Sequence, residues 1–87
     1  MKVIIVYDIE EKRVNKVNKF LKRWLTWQQN SVFEGELSPS QLEELKVGLK
    51  EIIDENYDSI IIYEIDNPKN IKKEHMGAKK VEMDFII

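Results

Sequence analysis

The sequence contains no cysteine and only one histidine, and it has few residues that break regular structure: three glycines and two prolines in 87 residues. The absence of cysteine excludes a disulfide framework and a thiolate metal site. No apolar run approaches the roughly 20 residues of a membrane-spanning helix, and the N-terminus lacks the pattern of a signal peptide. We therefore expect a cytoplasmic protein without a membrane partner, folded as a single domain over residues 1–87.

The charged residues are segregated along the chain, although the formal net charge is only −2. Residues 12–23 hold six basic residues and no acid, whereas acids gather between residues 34 and 55. The net charge taken alone argues against a nucleic-acid partner, but it conceals one basic side and one acidic side. A helix face that is merely soluble usually mixes both signs, so phosphate binding stays open beside the alternative of a solvated face.

The first eight residues, MKVIIVYD, form an apolar run that stops at a carboxylate. A run without alternation is typical of a central strand that is buried on both faces. Asp8 then lies where the chain leaves the sheet. In most proteins a lone aspartate at such a position forms a turn or caps the next helix, so the residue by itself is weak evidence for a functional site.

Residues 10–25 show helical periodicity, with an apolar stripe and a basic stripe at the same spacing of three and four. The apolar stripe consists of Val14, Val17, Leu21 and Trp24, and the basic stripe of Lys12, Lys16, Lys19 and Arg23. Residues 26–37 are expected to be extended. Turn-like chemistry at Gln29 and Asn30 favours a short strand that turns into a longer one, and Gly35 indicates a bulge or bend.

A capping box marks the start of the second helix. Ser38 supplies a hydroxyl N-cap, Pro39 occupies the first helical position, and Gln41 can reach back to the cap. The helix is expected to end near Glu55. Gly48 in its middle lowers helix propensity and indicates a close approach of another backbone.

The last third of the chain contains two further strand patterns. Residues 59–65 repeat the buried pattern of the N-terminus and end in a turn at residues 66–68. Residues 69–80 are predicted to be irregular with a turn at Gly77, and residues 81–87 predict a half-buried strand that must pair with a sheet edge. The order of elements predicts an α+β, ferredoxin-like sandwich, in which an antiparallel sheet carries two helices on one face and a second copy covers the other.

The strand that ends in Tyr7 and Asp8, the basic helix, and the stretch QNSVFEGEL at residues 29–37 make the chain resemble the small CRISPR-associated proteins that accompany the spacer integrase. The resemblance covers nearly the whole chain. It implies a ferredoxin-like fold, a homodimer with sheets packed face to face, and a C-terminal strand that joins the sheet of the dimer partner. It also implies an Mg²⁺-dependent endonuclease for RNA, or in some members duplex DNA, that acts in spacer acquisition and antiviral defence with the CRISPR integrase protein.

Carried over to this sequence, the resemblance assigns the catalytic and metal-binding acid to Asp8. The residues that it offers as substrate contacts are Tyr7, Ser31 and Phe33. The early basic residues of the family's first helix correspond to Arg13 and Lys16; with the basic stripe, the expected nucleic-acid-binding residues are Lys12, Arg13, Lys16, Lys19 and Arg23. Two departures are a missing glycine after the first helix and Trp27 where many members carry an arginine.

Magnesium-dependent hydrolysis of a phosphodiester needs hard oxygen ligands and positive charge near the scissile phosphate. One carboxylate per chain is too few, so the hypothesis is that Asp8 and its twin meet across a two-fold axis and share one or two ions. The alternative is a non-catalytic dimeric scaffold of the integrase complex, in which the basic helices hold DNA and Asp8 is only a structural cap. His75 is expected at the surface, Trp24 in the core, and Trp27 in either place.

Overall fold

Five strands and two helices alternate along the chain in the computed structural model, which describes residues 1–78. In chain order they are β1 (Lys2–Asp8), α1 (Glu11–Leu21), β2 (Thr26–Gln29), β3 (Val32–Glu36), α2 (Pro39–Ile52), β4 (Ser59–Asn67) and β5 (Asn70–Gly77). The strands form one antiparallel sheet in the order β2-β3-β1-β4-β5, so β1 is the central strand. The predicted ferredoxin-like α+β sandwich is confirmed, with β5 as an additional edge strand.

The core lies between one face of the sheet and both helices. Alternate residues of β1, namely Val3, Ile5 and Tyr7, point toward the helices and are buried there. The opposite face carries a smaller apolar cluster, which we call the open-face cluster: Ile4, Val6, Val32, Ile61 and Tyr63. The central strands β1 and β4 are therefore apolar on both faces, as their uninterrupted runs predict.

The capping box at the start of α2 is confirmed. The backbone N–H of Gln41 donates to Ser38 Oγ over 3.2 Å, and the Ser38 N–H donates to Gln41 Oε1 over 2.8 Å. Gly48 does allow a close approach, but its neighbour is the ring of Phe20 in α1 rather than a backbone, so that part of the prediction is wrong. Both helices end earlier than predicted, α1 at Leu21 and α2 at Ile52.

The β2–β3 hairpin confirms the prediction of two strands in residues 26–37. Asn30 occupies the turn with a positive φ of 43°, a conformation that asparagine tolerates. The bulge, however, lies between Trp27 and Gln29, whereas Gly35 stays in register opposite Val3. The prediction of a bulge at Gly35 is therefore wrong; its missing side chain instead makes room for Leu25, whose Cδ2 would lie 2.9 Å from an added Cβ.

The strand β5 contradicts the prediction that residues 69–80 are irregular. It pairs with β4 in an antiparallel hairpin, with Ile71 opposite Ile65 and Met76 opposite Ile60. An edge strand carries many exposed polar side chains, so its sequence lacks the apolar pattern, and backbone hydrogen bonds to β4 supply the pairing. Gly77 closes the strand with a positive φ of 83°, where a Cβ would collide with the carbonyl oxygen of Asp58.

Two sequence predictions concern the C-terminal strand and the absence of a membrane span. The half-buried strand predicted for residues 81–87, which would join the sheet of a partner, lies outside residues 1–78. In that described part of the chain, neither helix is long and apolar enough to cross a membrane.

Candidate active site and nucleic-acid interface

Asp8 ends the central strand β1 with its side chain exposed. It is opposite Ser59 of β4, and alternation along β1 puts its side chain on the same face of the sheet as the open-face cluster. The N-cap of α1 is Glu10, two residues further along the chain, so the interpretation of Asp8 as the cap of that helix is wrong. The site thus combines an exposed carboxylate with the start of a basic helix.

A single copy of the chain supplies few ligands for a cation at this place. Magnesium is usually bound by one or two carboxylates together with waters and substrate phosphates. Across residues 1–78, no three side chains of histidine, cysteine, aspartate or glutamate come together as a metal-binding group. Asp8 therefore has the right chemistry for a magnesium ligand, but among residues 1–78 it does not belong to a group of three or more such side chains.

Two of the three predicted substrate contacts lie in the core. Tyr7 is 4% exposed, and its hydroxyl donates to Asn18 Oδ1 on α1. Burial raises the pKa of the Tyr7 hydroxyl above its ordinary value. Phe33 is fully buried, with its ring centroid 6.0 Å from that of Tyr7. Strand alternation is the reason, because it turns Tyr7 toward the helices and its neighbour Asp8 away from them.

Ser31 is the predicted substrate contact that stays near the surface. It lies in the turn between β2 and β3 and is partly exposed. Its carbonyl oxygen accepts a hydrogen bond from the Tyr7 N–H over 3.1 Å. This bond fixes the β2–β3 turn beside the end of β1, one residue before Asp8.

Arg13 binds a buried carboxylate that sequence reasoning missed. Asp58 directly precedes β4 and is fully buried. Arg13 Nε donates to Asp58 Oδ2 over 2.6 Å, and Arg13 Nη2 donates to Asp58 Oδ1 over 3.1 Å. The N–H groups of Glu10 and Asp54 donate to the same carboxylate, each over 2.9 Å. This cluster, which we call the Asp58 cluster, joins the start of α1 to the loop before β4.

The Asp58 cluster explains two shifts in pKa. Burial alone would raise the pKa of Asp58, but hydrogen bonds from Arg13 and from the backbone N–H groups of Asp54 and Glu10 outweigh it and lower the pKa to about 2. The hydrogen bond with Asp58 in turn raises the pKa of Arg13. Arg13 therefore donates to an internal carboxylate, and its assignment as a phosphate-binding residue stays a prediction.

The other predicted phosphate-binding residues form an exposed stripe along α1 and just beyond its end. All four side chains are exposed: Lys12, Lys16, Lys19 and Arg23. The ion pairs that Lys2, Arg13 and Lys46 form within residues 1–78 include none of these four side chains. The stripe thus presents cationic groups to solvent, and Glu10 and Glu11 separate it from Asp8 along the chain.

The remaining aromatic and imidazole groups are placed mostly as expected. Trp24 packs against the core, whereas Trp27 is 53% exposed and donates from Nε1 to the Asn30 carbonyl oxygen over 3.0 Å. His75 is a surface residue, as predicted. Its Nε2 lies 2.9 Å from both Ser59 Oγ and the Ala78 carbonyl oxygen, so it ties the ends of β4 and β5 together.

Comparison with protein families gives a match over most of the chain. Residues 1–73 match the family model described as CRISPR associated protein Cas2. A protein of Archaeoglobus fulgidus named CRISPR-associated endoribonuclease Cas2 2 is 53% identical over 78 residues, which are 90% of this chain and 85% of the relative. A protein of Pyrococcus furiosus named CRISPR-associated endoribonuclease Cas2 is 48% identical over 87 residues and covers all of both chains.

Solved structures show the same architecture. A crystal structure described as cas2 matches with a TM-score of 0.73 and 51% identity over 93% of this chain and 91% of the other. The crystal structure of Streptococcus pyogenes Cas2 at pH 6.5 matches with a TM-score of 0.69 and 35% identity over 75% of this chain and 86% of the other. Sequence and backbone thus agree on the same set of relatives.

Proposed function

Since the chain belongs to the Cas2 family of CRISPR-associated proteins, we propose that it is an endoribonuclease of the CRISPR system whose catalytic residue is Asp8. The observation that carries the proposal is the position of this carboxylate. It is exposed at the end of the central strand, on the open face, and the basic stripe of α1 begins only four residues later at Lys12. The stripe would hold the phosphates of an RNA strand close to the connection between α1 and the end of β1.

The proposed active form is a homodimer that packs through the open face. The open-face cluster lies on the side of the sheet that neither helix covers. Val6 and Ile61 are already buried in the single chain, and a second copy packed on this face would cover the partly exposed side chains of Ile4, Val32 and Tyr63. Two copies would bring two Asp8 carboxylates to one centre. These are the residues that would hold Mg²⁺, which supplies Lewis-acid stabilisation of the phosphate when bound.

The residues of the chain itself have three proposed roles in this centre. Asp8 would hold the cation and so determine where the scissile phosphate lies. Lys12 and Lys16 hold neighbouring phosphates of the substrate, and Ser31, fixed beside the end of β1, contacts the substrate on the other side. Antiviral defence through spacer acquisition is the proposed setting, with duplex DNA as a further substrate.

A second candidate function is a non-catalytic DNA-binding scaffold for the CRISPR integrase protein. The observation that favours it is that Asp8 does not belong, within residues 1–78, to a group of three or more potential metal ligands. In this case the basic stripes of two copies would hold DNA phosphates. Binding would then depend steeply on salt and would not require Mg²⁺.

A cleavage assay separates the two functions. Purified protein is incubated with labelled RNA and with duplex DNA, in Mg²⁺ and in chelator, as wild type, as Asp8→Asn and as Glu44→Gln. Glu44→Gln is the matched control, because it removes an exposed carboxylate of α2 far from the strand end. We expect Asp8→Asn to lower Mg²⁺-dependent cleavage by at least roughly 100-fold while the control cleaves like wild type.

The state of assembly is measured on the same preparations by light scattering after size exclusion. Loss of cleavage in Asp8→Asn with an unchanged dimer supports the nuclease. Full cleavage by Asp8→Asn would contradict it. If that variant also supports spacer integration with the integrase protein, the scaffold function is the correct one.

A further inference from the structure

A groove of about 260 Å³ lies between the two helices, away from the end of β1. We call it the α1–α2 groove. Its lining residues are Lys16, Lys19, Phe20, Arg23 and Ile52. They combine three cationic side chains with two apolar ones and include no acid. The cleavage centre proposed above gives a role to Lys16 but to none of the other four residues.

The aromatic side chain of the groove is held in place by its neighbours. Gly48 of α2 leaves space that the ring of Phe20 fills, so closely that a Cβ at this position would overlap the ring. The ring of Trp24 lies 6.3 Å from that of Phe20, at an interplanar angle of 54°. Phe20 nevertheless remains only partly buried. The groove thus offers an immobilised apolar surface that keeps contact with solvent.

The cations are placed around this apolar surface. The guanidinium carbon of Arg23 lies 6.0 Å from the centroid of the Phe20 ring. Lys16 and Arg23 are seven residues apart, which corresponds to roughly 10 Å along a helix axis. One strand of nucleic acid carries a phosphate at each nucleotide, one for about every 3.4 Å of axis in a stacked strand and for a longer distance when the strand is extended. The cations therefore span the phosphates on both sides of one nucleotide.

A single strand of nucleic acid presents the two chemistries that the groove offers. In a duplex the bases are paired and stacked inside, so a groove with an apolar floor gains contact only with phosphates. In a single strand, bases are available to pack on aromatic side chains while the backbone follows a positive surface. The stripe also continues along α1 to Lys12. A nucleic-acid strand has regularly spaced charges and can contact the stripe over the full helix, whereas a short acidic peptide would use only part of it.

We propose that the α1–α2 groove binds one unpaired nucleotide of a single-stranded RNA or DNA. The base packs on Phe20 and Ile52, and the flanking phosphates pair with Lys16, Lys19 and Arg23. This site rests on the proposed function as a nucleic-acid-binding protein and adds to it a contact with a base in the α1–α2 groove. It also places an anchored nucleotide on α1, at a distance from the acid at the end of β1.

The test measures binding in chelator, so that cleavage plays no part. Fluorescence anisotropy compares a labelled oligouridine with an abasic strand of the same length and charge. Wild type is expected to bind the oligouridine roughly tenfold more tightly, because stacking on an aromatic side chain favours the strand with bases. Phe20→Leu should bring this ratio close to one and leave the affinity for the abasic strand unchanged.

Two matched controls locate the effect. Tyr57→Leu and Trp27→Leu each remove an aromatic ring that is more than half exposed, 58% and 53%, but lies outside the groove. Neither should change the ratio. Lys19→Gln should weaken binding of both strands alike and lower the salt slope by about one.

The outcomes distinguish failure of the inference from failure of the proposed function. Equal affinity of wild type for both strands, or a ratio that depends on Trp27 rather than on Phe20, overturns the α1–α2 groove as a nucleotide site and leaves the proposed nuclease intact. Absence of any nucleic-acid binding overturns both. An acidic peptide with an aromatic anchor that binds and is not displaced by oligouridine would make the groove a peptide site instead.

A measurement on the wild-type chain covers the case in which Phe20→Leu does not fold. An oligomer that contains 4-thiouridine is photo-crosslinked to the protein, and the modified peptide is identified by mass spectrometry. The adduct is expected within residues 16–23 or at Ile52. Adducts confined to other segments overturn the proposal.

Discussion

At the scale of single residues, the most consequential contact is the one between Arg13 and Asp58. The fully buried carboxylate accepts hydrogen bonds from two backbone N–H groups and from the guanidinium, and so it stays ionised in the protein interior. It holds the start of α1 against β4, directly behind the strand end that carries Asp8. A basic residue that the sequence offers for phosphate binding thus serves to position the site.

The pH dependence of stability follows from this contact. The pKa of Asp58 is about 2 in the folded protein, against 3.8 as its ordinary value, so the unfolded chain binds more protons between these values. The contribution is fully present above pH 4 and is lost as the pH falls toward 2. At 1.36 kcal/mol per pH unit, it amounts to roughly 2 kcal/mol.

Urea unfolding between pH 2 and pH 7 checks this prediction. The stability difference between wild type and Asp58→Asn should shrink as the pH falls through the window from 4 to 2. Glu55→Gln, which removes a nearby exposed carboxylate, should run parallel to wild type. A constant difference between wild type and Asp58→Asn over the whole range would contradict a lowered pKa at this residue.

At the scale of elements, the contact between α1 and α2 decides the shape of the helical layer. Helix propensity alone favours alanine over glycine at Gly48 by roughly 1 kcal/mol. The ring of Phe20 occupies the space that an added methyl group would need. Packing therefore opposes propensity at this position, and the same contact forms the floor of the α1–α2 groove.

We expect Gly48→Ala to lower the free energy of unfolding by roughly 1–3 kcal/mol, because overpacking outweighs the gain in propensity. In the background of Phe20→Leu, which shortens the side chain at the point of contact, the same substitution should be close to neutral or stabilising. Chemical denaturation of the four proteins of this double-mutant cycle gives the coupling energy. Equal effects of Gly48→Ala in both backgrounds would show that the ring is not the obstacle.

At the scale of the whole molecule, the two faces of the sheet differ in what packs against them. One face carries the helices and the main core, and the other carries the open-face cluster. The proposed dimer uses the second face, and both the paired Asp8 carboxylates and the doubled basic stripe depend on it. Assembly is therefore the property on which the proposed activity rests.

A charge on the open face should prevent assembly. Tyr63 belongs to the open-face cluster and is partly exposed, so Tyr63→Lys would place a cation in the proposed interface. Val47 is 60% exposed on α2, on the other side of the molecule, and Val47→Lys is the matched control. In sedimentation analysis we expect a monomer for Tyr63→Lys and a dimer for the control. A dimeric Tyr63→Lys protein, or a monomeric wild type, would contradict the proposed interface.

Local patterns in the sequence determined much of the fold. The apolar runs of β1 and β4, the basic stripe of α1 and the capping box at Ser38 follow from nearest-neighbour chemistry, and each could be read without a structure. Even so, the sequence does not predict that residues 70–77 form the strand β5. Its pairing depends on hydrogen bonds to β4, and an edge strand leaves no apolar pattern in the sequence.

Only the tertiary structure decided which functional residues lie together. The sequence determined that Asp8 ends a buried strand and that cations line the next helix, because these are properties of neighbouring residues. It did not determine that Arg13 binds Asp58, 45 residues away, or that Phe33 is buried while Ser31 stays near the surface. Those outcomes depend on the register between strands and on the seating of α1 against β4, which are set by contacts between segments distant in the chain.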